Sequence, residues 1–131
     1  MSNHPIVHVE LWNTDPDAAA KFYSEVFGWE IQRTPMPGDM PGEYIQFSAG
    51  NTDMGGAFPQ AGPMPDGQEM KPGPMVYIGT DDIEASLSKV KAAGGTVLNA
   101  GMEIPGFGSM ATFRDTSGNV VSLWKSANPG G

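Results

Sequence analysis

The spacing of apolar residues changes period several times along the chain, and each change marks the border of an element. Residues 6–12 alternate: Val7, Val9 and Leu11 fall on one side, and Ile6, His8, Glu10 and Trp12 on the other. A period of two predicts a strand with one buried face. The period then lengthens. Asp15 stands at a capping position and Pro16 at the first helical position, where its missing N–H is harmless. Ala19, Tyr23 and Val26 form one stripe with Phe22 and Phe27 at its edges, and Gly28 stops the helix by entering the left-handed region at low steric cost.

The same grammar recurs in the second half. A β-rich run, Met75 to Gly79, leads to Asp81 and Glu84 at capping-box spacing, then to an Ile83, Leu87 and Val90 stripe closed by Gly94 and Gly95. The acidic starts and the glycine stops lie 66 or 67 residues apart, half the chain. After each helix the pattern returns to strands: Trp29–Arg33, Glu43–Ala49 and Thr52–Phe58 in the first half, and Thr96–Asn99, Ser109–Arg114 and Asn119–Lys125 in the second. Each half therefore reads βαβββ. The expected core is Val7, Val9, Leu11, Tyr23, Val26, Ile78, Leu87, Val90, Val121 and Leu123. Between the halves, residues 59–74 carry five prolines, which disfavour helix and central strand and read as a linker along the surface.

With 131 residues and 39% hydrophobic composition, the chain has the size of one globular domain: module one about 1–58, the linker 59–74, and module two about 75–131. About 60 residues per half would make only a marginal core, which weighs against a two-domain reading. The formal charge of −8 excludes phosphate-backbone neutralisation, so no nucleic-acid partner is expected. There is no cysteine, hence no disulfide, thiolate zinc site or cysteine nucleophile. The N-terminus lacks the basic and apolar regions of a secretory signal, and no window reaches the roughly 20 apolar residues of a membrane span. A cytoplasmic protein without membrane partners is the expectation.

Residues 8–31, HVELWNTDPDAAAKFYSEVFGWEI, with Phe22-Tyr23 ahead of a glycine-terminated helix, resemble the opening module of the vicinal-oxygen-chelate superfamily, the glyoxalase, bleomycin-resistance and extradiol-dioxygenase family. VYIGTDDIEAS at 76–86 and RDTSGNVVSLW at 114–124 look like its fifth strand and helix and its last hairpin. The resemblance implies an α+β fold in which two tandem βαβββ modules form a curved mixed-sheet cup with helices outside, and it implies a homodimer. It specifies the reaction poorly, because the superfamily hosts isomerases, dioxygenases, transferases and drug binders.

Metal-dependent members of that superfamily take His or Glu ligands from four cup-facing places. Here the resemblance puts His8 on the first strand, Gly56 on the fourth (with Met54 one step away), Met75 on the fifth and Ser122 on the last. One good ligand out of four argues for no resident cofactor and no metal site, with a weak divalent ion on His8, Glu10 and Asp53 as the alternative. His4, the other histidine, is expected in a frayed terminus.

His8 and Glu10 are then the candidate acid–base pair, the carboxylate orienting the imidazole or raising its pKa. Tyr77 shares the alternation of Met75, and Trp12 and Trp124 take comparable cup-facing places in the two modules. The expected ligand-binding set is His8, Glu10, Trp12, Met54, Gly56, Met75, Tyr77, Ser122 and Trp124. Residues 101–109, GMEIPGFGS, read as a mobile loop over the cup opening. No nucleophile elbow, P-loop or dinucleotide fingerprint occurs. The sequence thus supports a binder of a small organic molecule. An enzyme of lyase, isomerase or dioxygenase type using His8 and Glu10 is the alternative.

Overall fold

The computed structural model describes residues 4–36, 42–48, 55–63 and 69–127. In chain order the elements are β1 (Ile6–Trp12), α1 (Pro16–Phe27), β2 (Glu30–Pro35), β3 (Glu43–Ser48), β4 (Gly55–Ala57), β5 (Gly62–Pro63), β6 (Glu69–Met70), β7 (Gly73–Gly79), α2 (Ile83–Ala92), β8 (Thr96–Ile104), β9 (Gly108–Arg114) and β10 (Val120–Ser126). The strands are mixed and the class is α+β, with the two βαβββ modules that the pattern predicts. Contacts gather into two compact units: His8–Met75, and Val76 onward together with the start of the chain through Val7.

In the first unit the strands run in the order β2-β3-β4-β1. β1 and β4 are parallel neighbours, the return made possible by the α1 crossover, while β2, β3 and β4 are antiparallel. Asp15 caps α1, its carboxylate accepting from the Ala18 N–H at 3.2 Å, and Gly28 closes it in the left-handed region at φ 72°. The core under α1 is Ala20, Ile45, Phe47 and Phe58 with Leu11, Tyr23, Trp29 and Ile31 packed against it. Its aromatics stack in series: Tyr23 on Trp29 at 4.9 Å and Trp29 on Phe47 at 4.6 Å between centroids. Val7 and Val26, expected in the core, are 38% and 55% exposed. The buried stripe of α1 centres on Ala20 and Tyr23, so Val26 falls to one side, and Val7 lies at the end of β1 remote from Leu11.

The described parts of the proline-rich stretch, 59–63 and 69–74, make specific backbone contacts that its composition does not suggest. Asn13 anchors it: its N–H donates to Pro59 O at 3.0 Å, its side-chain amide donates to the same carbonyl at 3.1 Å, and its own carbonyl accepts from Ala61 at 2.7 Å. β5 and β6 then pair as a short ribbon, Gly62 opposite Met70.

In the second unit the order is β7-β10-β9-β8, again with a parallel first–last pair. Leu87, Ala111, Phe113 and Leu123 form its core, with Ile78, Val90 and Val121 partly buried against it. Asp82, not Asp81, caps α2, accepting from Ala85 N–H at 3.0 Å, while its own N–H is held by Thr80 Oγ1 at 3.2 Å. Residues 101–109 are not a loop. They complete β8 and open β9, joined by Pro105-Gly106 with Phe107 N–H donating to Ile104 O at 3.0 Å, and bulges in β8 absorb the irregular spacing that made them look unpaired. His4 is not frayed: its Nδ1 lies 3.0 Å from Gly79 O, and Gly79 N–H donates to Pro5 O at 2.8 Å.

Candidate functional site

Strand parity assembles a polar group on the face of the first unit that points away from α1. Leu11 on β1 and Ile45 and Phe47 on β3 pack toward the helix. The opposite alternation is therefore His8, Glu10 and Trp12 on β1, and Tyr44 and Gln46 on β3. The register Gln46–Ala57–Glu10 across β3, β4 and β1 puts only a methyl group between the two outer strands. Tyr44 can therefore reach across β4, a span of about 10 Å for two strand spacings. Its hydroxyl stands 3.3 Å from Glu10 Oε2 and 3.4 Å from His8 Nε2.

A consistent proton arrangement has the phenol donating to Glu10 and accepting from His8 Nε2–H. Both contacts are at the long end of hydrogen-bond range, so the group is associated rather than locked. Burial lowers the His8 pKa, favouring a neutral imidazole. Burial, then the charge of Glu10 and the hydrogen bond to it, raise the Tyr44 pKa and keep it a phenol. Glu10 is 4% exposed. One strand face thus presents a buried carboxylate, a proton-bearing phenol and a neutral imidazole within hydrogen-bond reach of one atom. The indole Nε1 of Trp12, on the same alternation, is buried and has no partner among the described residues.

Gly56 does not belong to this face. It pairs with Val9 and Phe47, and an added Cβ would run into the Val9 carbonyl and the Phe47 ring, so it sits on the helix side, where only glycine fits. The β4 residue sharing the face of Glu10 is Ala57, whose methyl is not a ligand. Met54 and Asp53 lie outside the described residues.

In the second unit, Ser122 is fully buried, and its hydroxyl lies 3.1 Å from that of Thr112, directly opposite on β9. Tyr77 is opposite Ser122 on β7 and 6% exposed, and Trp124 pairs with Met110 and Gly79; Met75, the last residue of the first unit, is 3% exposed. These are hydroxyl, indole and thioether groups with no carboxylate or imidazole among them.

A divalent ion, which the family resemblance brings into question, fits this donor set poorly. His8 and Glu10 alternate on a single strand, Tyr44 holds its proton, and no cluster of three His, Cys, Asp or Glu forms among the described residues. A shallow groove of about 360 Å³ on the helix side, between α1 and β2, contains Asp17, Lys21, Ser24 and Arg33 but none of the candidate residues. Its guanidinium is engaged at 2.8 Å by Asp17.

Paired βαβββ modules, each with a parallel first–last strand pair, define a class of fold, and comparison with known proteins places the chain within it. The family model described as Glyoxalase/Bleomycin resistance protein/Dioxygenase superfamily matches residues 5–123, and the chain belongs to that superfamily. A Mycobacterium tuberculosis protein named as a glyoxylase, CFP32, is 36% identical over 119 residues, covering 89% of this chain and 44% of that protein. The chain thus spans less than half the length of this relative. A glyoxylase-like domain-containing protein of Didymella fabae is 36% identical over 120 residues, covering 88% of both chains. The structure of methylmalonyl-CoA epimerase from Mycobacterium tuberculosis superposes with a TM-score of 0.67 at 13% identity, covering 94% of this chain and 88% of that one, a likeness of fold.

Tyr44 was absent from the sequence-derived set. The signal was present, since Glu-Tyr-Ile-Gln-Phe-Ser at 43–48 alternates and its Ile45 and Phe47 are the inward pair. Attention to first and last strands alone passes over a long side chain arriving from the third.

Proposed function

We propose that the chain binds a small organic molecule against the His8–Glu10–Tyr44 face of its first module and needs no tightly held metal to do so. The observation carrying this reading is the Tyr44 hydroxyl within reach of both Glu10 Oε2 and His8 Nε2. A carboxylate and an imidazole are costly to bury, and their clustering with a phenol on one face is the usual mark of a functional site. Trp12 Nε1–H adds a donor for an acceptor atom of the ligand.

A second reading is favoured by the same contact. Glu10 can accept a proton while Tyr44, held as a phenol, donates a hydrogen bond to the oxygen on which charge develops, so a ligand with an acidic C–H beside a carbonyl can have its proton moved, chemistry of the isomerase or lyase type. The glyoxylase names of the relatives accord with it.

Saturation-transfer NMR with a panel of small carbonyl compounds, organic acids and flat aromatics tests the binding reading. Compounds should receive magnetisation from the wild-type chain and lose at least tenfold in affinity with His8→Ala, about 1.4 kcal/mol, while the melting temperature stays put. Binding that survives His8→Ala unchanged would contradict it. A compound that binds and is also converted, with turnover lost in Glu10→Gln, selects the second reading.

A further inference from the structure

β4 carries almost no side chain: its residues are Gly55, Gly56 and Ala57. On the helix side that room is taken by an aromatic from β3, since a Cβ at Gly56 would run into the Phe47 ring. Phe58, of the same parity as Gly56, lies in the core under α1, so Ala57 between them points to the opposite face. Ala57 is nevertheless 0% exposed, whereas Gly55, two residues back on the same alternation, is half-buried. The polar face is sealed at one end of β4 and open at the other.

Tyr44 accounts for the seal. Gln46 on β3 and Glu10 on β1 stand abreast of Ala57. Tyr44 starts two residues before Gln46, about 7 Å along the strand. Its hydroxyl still lands 3.3 Å from Glu10 Oε2 and 3.4 Å from His8 Nε2. An oblique path across β4 connects the two ends, and Ala57 lies beneath it. We propose that Ala57 is the positioning residue of this face: its methyl is the floor under the Tyr44 ring, and a larger side chain there lifts the phenol away from Glu10 and His8. The proposal rests on the reading that this face takes the ligand. The size of residue 57 then sets how far the phenol reaches, and with it the hold on an oxygen of the ligand. Valine puts two more methyls in the path of the ring, an overpacking that the ring relieves by moving away. Glycine leaves the path open.

Urea unfolding of Ala57→Val, Tyr44→Ala and the double variant tests the packing without any ligand. Valine should destabilise the wild-type background and cost little once the Tyr44 ring is gone. If valine alone unfolds the chain outright, Tyr44→Ala should restore folding. NMR titration of the His8 imidazole should show its pKa, held down by burial, rising toward the ordinary value of about 6.5 in Ala57→Val and staying low in Ala57→Gly. That contrast separates position from stability, because glycine is the poorer strand residue of the two. With a compound bound in the saturation-transfer panel, Ala57→Val should weaken affinity about tenfold and Ala57→Gly about threefold at most, and valine should add nothing in the Tyr44→Ala background. A valine that costs the same stability with and without Tyr44, or one that leaves the His8 titration unmoved, would overturn the proposal. So would the same loss of affinity in both backgrounds. Should no compound bind the wild-type chain, the ligand reading fails, and the unfolding cycle and the titration still decide the role of Ala57.

Discussion

His8 is held where water reaches it poorly, and the consequence can be read as a pH effect. Its folded-state pKa is lowered by burial, so the unfolded chain binds the proton more readily. Stability therefore rises with pH through the window below the ordinary histidine value of about 6.5 and levels off above it. The melting temperature should fall on acidification from about pH 7 to 5.5, the ordinary histidine interval. His8→Gln should flatten that slope, and a variant with the same slope as the wild type would show that His8 is not the group responsible. Residue identity made His8 and Glu10 legible, because a histidine and a carboxylate interrupting an apolar strand are conspicuous. Gly56 was misplaced for the opposite reason. Glycine carries no sign of its face, and only the register with Val9 and Phe47 shows that it packs beneath the helix.

At the scale of elements, end signals settled the helices and alternation settled the strands. α1 begins at Pro16 and ends before Gly28 as its sequence requires. The second helix shows the limit of such signals. Asp81 and Asp82 are both good caps, and the choice fell to Asp82 because Thr80 Oγ1 accepts from its N–H and so fixes the entering backbone. Asp82→Ala should lower stability by about 1 kcal/mol in urea unfolding, whereas Asp81→Ala should cost a few tenths at most. Equal losses would mean that the two share the role. The bulged hairpin of β8 and β9 escaped the pattern because glycines at 101, 106 and 108, all at positive φ, look like loop chemistry in sequence while serving a turn and irregular strand pairing in space.

For the molecule as a whole, duplication was the most legible property. Two modules with the same strand order arise from two stretches of the same grammar, and each has its own core on the helix side. What duplication conceals is divergence. The row Gln46–Ala57–Glu10 in one unit corresponds in register to Thr112–Ser122–Tyr77 in the other, so ionisable chemistry is gathered in the first and hydroxyl chemistry in the second. That division is the basis for reading His8, Glu10 and Tyr44 as a site for an organic ligand rather than a metal centre. Elemental analysis of protein purified without added metal tests it most directly. The account predicts zinc, nickel, manganese and iron all well below one equivalent per chain, and a melting temperature unmoved by chelator. One equivalent of such a metal, lost in Glu10→Gln and accompanied by a drop of several degrees on chelation, roughly the effect of emptying a site worth a kilocalorie or more, would contradict it.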